Sequence, residues 1–193
     1  MTDNSSTENT GELVRSFRSG DIQAFNRLVL IYQNRIYNLA LNYVKNPEEA
    51  KDLTQDIFVN VYLAIHSLRE DNKFSAWLYR IAVNKCRNHY NRLNRRGFFL
   101  NKSLDDENTG IQLKGEKGPE LALEKEDLTN QVRTGINSLK KNERDILVLR
   151  DLQGLSYEEI STILKMPLGT VKSKLNRARA ALKKQLKSIY KEL

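Results

Sequence analysis

The 193-residue chain contains one cysteine, two histidines, three prolines and one tryptophan. A single cysteine excludes an internal disulfide framework and suits a reducing compartment. The histidines, His66 and His89, leave metal chemistry short of ligands. Cys86-Arg87-Asn88-His89 offers one C-x-x-H pair without a second pair, whereas zinc needs three or four ligands. No run of about 18 apolar residues occurs, so no membrane insertion is expected. The start, MTDNSSTENTGE, is polar and acidic and lacks the basic and apolar parts of a signal peptide. A Gly-rich phosphate loop, a carboxylate cluster fit for metal-dependent nuclease work and a Ser/His/Asp arrangement are all missing. These absences predict a cytoplasmic protein that is not an enzyme and has no cofactor, catalytic residue or metal site.

Charge is what the chain has in excess, and unevenly. There are 32 Lys+Arg against 24 Asp+Glu, a net +8. Residues 78–96 carry Arg80, Lys85, Arg87, Arg92, Arg95 and Arg96 and no acid, a local +6. Residues 165–187 carry eight cations from Lys165 to Lys187, again without an acid, a local +8. The remainder of the chain is therefore acidic by six charges. One basic block is commonly a solvated helix face, but two acid-free blocks in a small chain point to a polyanionic partner.

Helical periodicity dominates, and no convincing alternating strand is present. Asp21 can cap a helix with apolar positions from Ile22 to Tyr43. Asn46-Pro47-Glu48-Glu49 opens a second, with N-cap, N1 proline and a capping-box acid, and a stripe from Ala50 to Leu68. A third runs from Phe74 to about Arg96. Residues 97–120 hold Gly97, Gly110, Gly115, Gly118 and Pro119, with five acids against three lysines, and read as a linker. Beyond it, Leu128, Val132, Ile136 and Leu139 line one helix, and Gly154 can end the next. Ser156-Tyr157-Glu158-Glu159 is a capping box, Lys165–Gly169 a turn, and a last helix begins near Gly169 or Thr170. The expected fold is all-α: two small helical domains joined by a flexible linker. The expected boundaries are a disordered tail 1–11, a first domain 12–96, a linker 97–124 and a second domain 125–193.

The second domain has the helix-turn-helix pattern, with a basic second helix. Val171, Leu175, Ala178 and Leu182 take its inward face, which leaves Lys172, Ser173, Asn176 and Arg177 outward for base edges. Lys174, Arg179, Lys183 and Lys184 suit phosphates. The first basic block interleaves Phe74, Trp77, Tyr79 and Tyr90 with Arg80, Asn84, Lys85, Arg87 and Asn88. Exposed rings beside cations suit unstacked bases. On composition alone, Phe74 and Trp77 fit a hydrophobic core equally well. The second helix sets Asp52, Gln55, Asp56 and Asn60 opposite its apolar stripe, either plain solvent surface or a dock for a basic protein face. A free-standing helix-turn-helix repressor explains residues 155–187 but gives the aromatic-basic block no role.

Three segments resemble one family. Phe74-Ser75-Ala76-Trp77-Leu78-Tyr79-Arg80-Ile81-Ala82-Val83-Asn84 is similar to region 2.3–2.4 of the extracytoplasmic-function sigma factors of the sigma-70 family. Asp52-Leu53-Thr54-Gln55-Asp56-Ile57-Phe58 resembles their region 2.2. Gly154–Ile160, followed by Pro167–Lys174, resembles region 4.2. The resemblance implies a sigma-2 domain and a sigma-4 domain in a non-catalytic factor for promoter-specific transcription initiation, active in stress responses. It implies docking of Asp52, Gln55 and Asp56 on the β′ clamp helices of RNA polymerase core, with the β flap as a further contact. It implies recognition and melting of the −10 element by Lys73, Phe74, Trp77, Arg80, Asn84, Lys85 and Asn88. Reading of −35 DNA is implied for Thr170, Lys172, Ser173, Lys174, Asn176, Arg177 and Arg179. Lys172 and Lys174 stand where arginine is common in relatives, which removes a bidentate guanine contact. The linker is implied to thread toward the polymerase active-site cleft and RNA exit channel, and an anti-sigma factor is implied as a further partner.

Overall fold

The computed structural model describes residues 4–44, 46–103 and 131–189. The first unit contains α1 (Asn4–Arg18), α2 (Ile22–Ala40), α3 (Pro47–Ala64) and α4 (Phe74–Ser103), with short 3-10 turns at Ile65–Ser67 and Asp71–Lys73. The second contains α5 (131–138), α6 (Lys141–Leu147), α7 (Tyr157–Leu164) and α8 (Leu168–Ile189). No strand occurs among the described residues, as the periodicity predicts.

The caps act largely as the sequence anticipates. Asp21 accepts from the Gln23 N–H at 2.9 Å to start α2. Asn46 accepts from the Glu48 N–H at 2.8 Å, and Pro47 fills the first turn of α3. The acid for a capping box there is diverted: a Glu49 carboxylate oxygen lies 3.9 Å from His89 Nε2 on α4.

Two boundaries differ from expectation. Residues 4–11, expected as a disordered tail, belong to α1. Thr10, Leu13, Val14 and Phe17 are buried at helical spacing, so tertiary packing overrides the weak propensity of the polar start. Helix α4 passes through Gly97 to Ser103 instead of ending near Arg96. One interior glycine costs about 1 kcal/mol, too little to stop a long helix that meets no proline. The rest of the expected linker, 104–124, and Leu128 lie outside the described residues.

In the first core, Leu28, Ile36, Leu39, Ile57, Val61 and Leu78 are fully buried. Each contributes about 1.5–3 kcal/mol by leaving water. Phe17 meets the rings of Phe25 and Tyr62 at 5.2 and 5.3 Å, closing α1 onto α2 and α3. Arg18 then ties the end of α1 to the connection before α4. Its guanidinium donates to Asp71 Oδ1 at 2.5 Å, to the Ile65 carbonyl at 3.0 Å and to the Leu68 carbonyl.

The second core collects Ile136, Ile146, Leu149, Ile160, Val171, Leu175 and Ala178. Gly135 is required by α8: a Cβ there would stand 2.7 Å from the Leu182 side chain. A π turn, Val148–Leu152, follows α6 and ends at Gly154, whose φ of +73° is left-handed, the terminator role anticipated for it.

Candidate nucleic-acid interface

Helix α7 begins with the anticipated capping box. The Ser156 hydroxyl accepts from the Glu159 N–H at 3.1 Å, and the Glu159 carboxylate accepts from the Ser156 N–H at 2.7 Å. Lys165 ends α7 in a left-handed conformation, φ 52°, and the Ser161 hydroxyl donates to the Met166 carbonyl at 2.6 Å. These bonds fix a tight turn into α8, which starts at Leu168, one residue ahead of the sequence expectation. A helix-turn-helix results.

On α8 the faces divide as the spacing predicts. Val171, Leu175 and Ala178 are buried against α7 and α6, and Leu182 is partly buried. Lys172, Ser173, Asn176 and Arg177 are exposed, whereas Thr170 and Lys174 are half-buried. The Arg177 side chain folds along the helix, its Nε 3.4 Å from the Ser173 carbonyl. The Lys172 ammonium lies 5.7 Å from the Tyr157 ring centroid, a cation–π contact that steadies it at the turn. Arg179 is already occupied: it donates to both carboxylate oxygens of Asp151, at 2.9 and 2.5 Å. That hydrogen bond raises the Arg179 pKa, so the group stays cationic.

Helix α4 departs more from the sequence reading. Phe74 and Tyr79 are fully buried and Trp77 is only 9% exposed. Phe74 packs on Tyr32 and Trp77 at 5.6 and 6.1 Å, so these rings belong to the core and offer no open stacking face. The assignment of Phe74 and Trp77 to a base-stacking surface is corrected accordingly. An aromatic at the start of a helix is worth more buried against α2 than exposed beside arginines. The solvent-facing positions are Asn84 and Asn88, with Arg80 and Lys85 half-buried at the edge and Lys73 exposed ahead of the helix. Lys73 pairs with Glu70 at 2.8 Å.

Asp52, Gln55 and Asp56 lie exposed along one side of α3. The same side continues into Val59 and Leu63, 57% and 73% exposed. These two apolar positions were not among the residues singled out, although they follow Asp52, Gln55 and Asp56 at helical spacing. Asp56 reaches α4, its Oδ2 3.6 Å from Lys85 Nζ.

Sequence reasoning also passed over Arg18, which holds the Ile65–Asp71 connection, and Asp145, a buried carboxylate between the two units. Asp145 sits beside a run of apolar residues in α6, a signal visible in Ile146-Leu147-Val148-Leu149. Cys86 is buried in α4, and burial pushes its thiol pKa up, in keeping with the small packing residue anticipated there. No group of three or more potential metal ligands occurs among the described residues.

Two family models match the chain: Sigma-70 region 2 over residues 28–96 and Sigma-70 region 4 over residues 129–182. The RNA polymerase sigma-H factor of Pseudomonas aeruginosa is 36% identical over 188 residues, covering 96% of this chain and 97% of that one. The ECF RNA polymerase sigma-E factor of Escherichia coli is 37% identical over 182 residues, 93% and 95% of the two chains. Among solved structures, CnrH in complex with the cytosolic domain of CnrY superimposes with a TM-score of 0.71 at 23% identity. That match covers 93% of this chain and 98% of the other. The sigma factor RpoE of Bartonella quintana, in complex with the anti-sigma factor NepR, gives 0.63 at 23% identity, over 86% and 98%. The same two-domain helical architecture recurs in both. With both sigma-70 regions in order and near-complete coverage of the relatives, the chain is a member of the extracytoplasmic-function branch of the sigma-70 family, a non-catalytic factor for promoter-specific initiation by RNA polymerase.

Proposed function

We propose that the chain is a dissociable cytoplasmic initiation factor with three working surfaces. The observation that carries the reading is the divided face of α8: apolar Val171, Leu175 and Ala178 buried, and Lys172, Ser173, Asn176 and Arg177 exposed. Small polar and basic side chains on the N-terminal half of a recognition helix suit major-groove edges. This surface reads −35 DNA, with Thr170 and Lys174 at its margin.

The second surface runs from Lys73 over Arg80, Asn84, Lys85 and Asn88 and holds the −10 element. Phe74 and Trp77 support it from the core. Unstacking costs a few kcal/mol per base, and cation–phosphate contacts offset part of it, so binding energy drives melting without bond chemistry. The third surface is the Asp52, Gln55 and Asp56 side of α3, acidic and suited to the β′ clamp helices. The second unit adds contact with the β flap. Because two structural neighbours were solved bound to partners, one of them an anti-sigma factor, an anti-sigma factor is the expected regulator here. Induction under stress follows from the same kinship.

Run-off transcription with core polymerase tests this reading. Added chain is expected to yield a promoter-specific transcript, and core alone to yield none. Absence of any specific transcript across candidate promoters, its own included, overturns it.

A further inference from the structure

The two units touch through a small polar interface centred on one carboxylate. Asp145 on α6 is 0% exposed. It accepts from Arg87 Nε on α4 at 2.6 Å, pairs with another nitrogen of that guanidinium, and accepts from the Tyr43 hydroxyl beyond α2. Arg144 stacks over the Tyr90 ring, 4.1 Å from its centroid. Tyr79 and Tyr90 donate across the same boundary to the Gln153 side chain and the Asn137 carbonyl, each at 3.4 Å. Alongside, a cleft of about 430 Å³ stays open between Leu41 and Asn42 on one unit and Ile136 and Leu152 on the other.

Permanent interfaces resemble a domain core cut in half, apolar and filled. This one is polar, incompletely filled and dependent on a single buried ion pair. Exchanging such a pair for two hydrated ions comes near to breaking even, so closure is specific in geometry and weak in energy. The closed form also conflicts with the proposed reading of two promoter elements. In it, α7 packs on α4, and packed helices lie about 8–10 Å apart. Elements centred at −35 and −10 are separated by about 25 base pairs, about 85 Å of straight duplex at ~3.4 Å per pair. One closed chain cannot hold both.

We propose that Asp145, Arg87 and Tyr43 form an intrachain latch that keeps the free factor closed, and that the latch opens when both units engage a promoter on polymerase. The need for opening rests on the reading of the two units given above; the latch itself stands on the interface geometry. None of the three residues belongs to the proposed DNA or polymerase surfaces, so they can be changed without touching either.

The test is an interdomain distance measurement on the full chain in the absence of DNA and polymerase. Spin labels placed at Gln23→Cys and Lys183→Cys, both exposed, report the separation, and the buried Cys86 stays unlabelled. The unlatched pair is expected as one short distance. Asp145→Asn is expected to raise a longer-distance open population at least tenfold, since losing one partner of a buried charge pair strands the other. The swap Arg87→Asp with Asp145→Arg is expected to restore the short distance, and Tyr43→Phe to shift the balance less. Unchanged helical content by circular dichroism separates opening from unfolding, and if Asp145→Asn unfolds, the swap and Tyr43→Phe give the answer. A broad distribution in the unsubstituted chain, or single variants that leave the distances unchanged, overturns the latch. Because no promoter enters the experiment, run-off transcription fails or succeeds independently of it.

Discussion

Lys85 and Asp56 join two of the proposed working surfaces: the Lys85 ammonium on α4 lies 3.6 Å from the Asp56 carboxylate on α3. Both side chains are more than a third exposed, so the pair contributes about 0–1 kcal/mol and leaves each partner available. Asp56→Arg is therefore expected to fold normally, with its urea midpoint close to that of the parent. Its binding to core polymerase, followed by fluorescence anisotropy, is expected to fall by an order of magnitude or more, because a basic partner surface now meets a cation. Undiminished binding would return that side of α3 to ordinary solvent surface.

Arg177 is exposed on α8, and only its own helix backbone touches it. Replacing it by alanine is expected to weaken −35-dependent transcription by about 1–3 kcal/mol at the contacted base pair. The check is a promoter series varied one position at a time. Loss concentrated at one position identifies base reading, whereas equal loss across the series limits Arg177 to a phosphate contact.

Much of this site is legible in sequence because α8 obeys a simple rule. Val171, Leu175, Ala178 and Leu182 recur at helical spacing, and whatever lies between them must face outward. The capping box at Ser156 and the terminator at Gly154 are equally local, and local chemistry survives folding. Phe74 and Trp77 show where such reading stops. Their burial is decided by Tyr32, more than 40 residues earlier in the chain, and no spacing within α4 carries that information. Asp145 is the same case at longer range: its partners Tyr43 and Arg87 lie 102 and 58 residues away. Helix α1 lay hidden for a third reason, since its polar start has little propensity and is ordered by Phe17 packing on Phe25 and Tyr62.

Arg179 separates a cation that is near DNA from one that is free to bind it. Its guanidinium is forked onto Asp151, and that acid partly neutralises it. Lys183, exposed one turn further along α8, has no such carboxylate among the ion pairs of the described residues. Each phosphate contact contributes about 0.9 to the slope of log affinity against log salt. Lys183→Ala is expected to lower that slope for −35 duplex binding by about one contact, and Arg179→Ala by clearly less. Asp151→Ala is expected to raise the slope, because Arg179 is released toward phosphate. Equal slopes for Lys183→Ala and Arg179→Ala would show that the Asp151 fork does not hold on DNA.

The two tyrosines at the interface between the units make stability fall at alkaline pH. Burial first, and then the neighbouring Asp145 carboxylate, raise the Tyr43 hydroxyl well above its ordinary value. Burial raises Tyr79 from 10.0 to about 12. Folded chains thus keep protons that unfolded chains release above pH 10, so the unfolded state binds fewer protons there and stability declines as pH rises. The contribution is complete below about pH 10 and is lost toward pH 12 for Tyr79, a total of about 2–3 kcal/mol for two units of displacement. Urea midpoints are expected to be level from pH 7 to 9 and to drop between 10 and 11.5. Lysines titrate in the same range, so the decisive comparison is with Tyr43→Phe and Tyr79→Phe, each expected to flatten the alkaline drop. A drop as steep in both phenylalanine variants as in the parent would place its origin outside this interface.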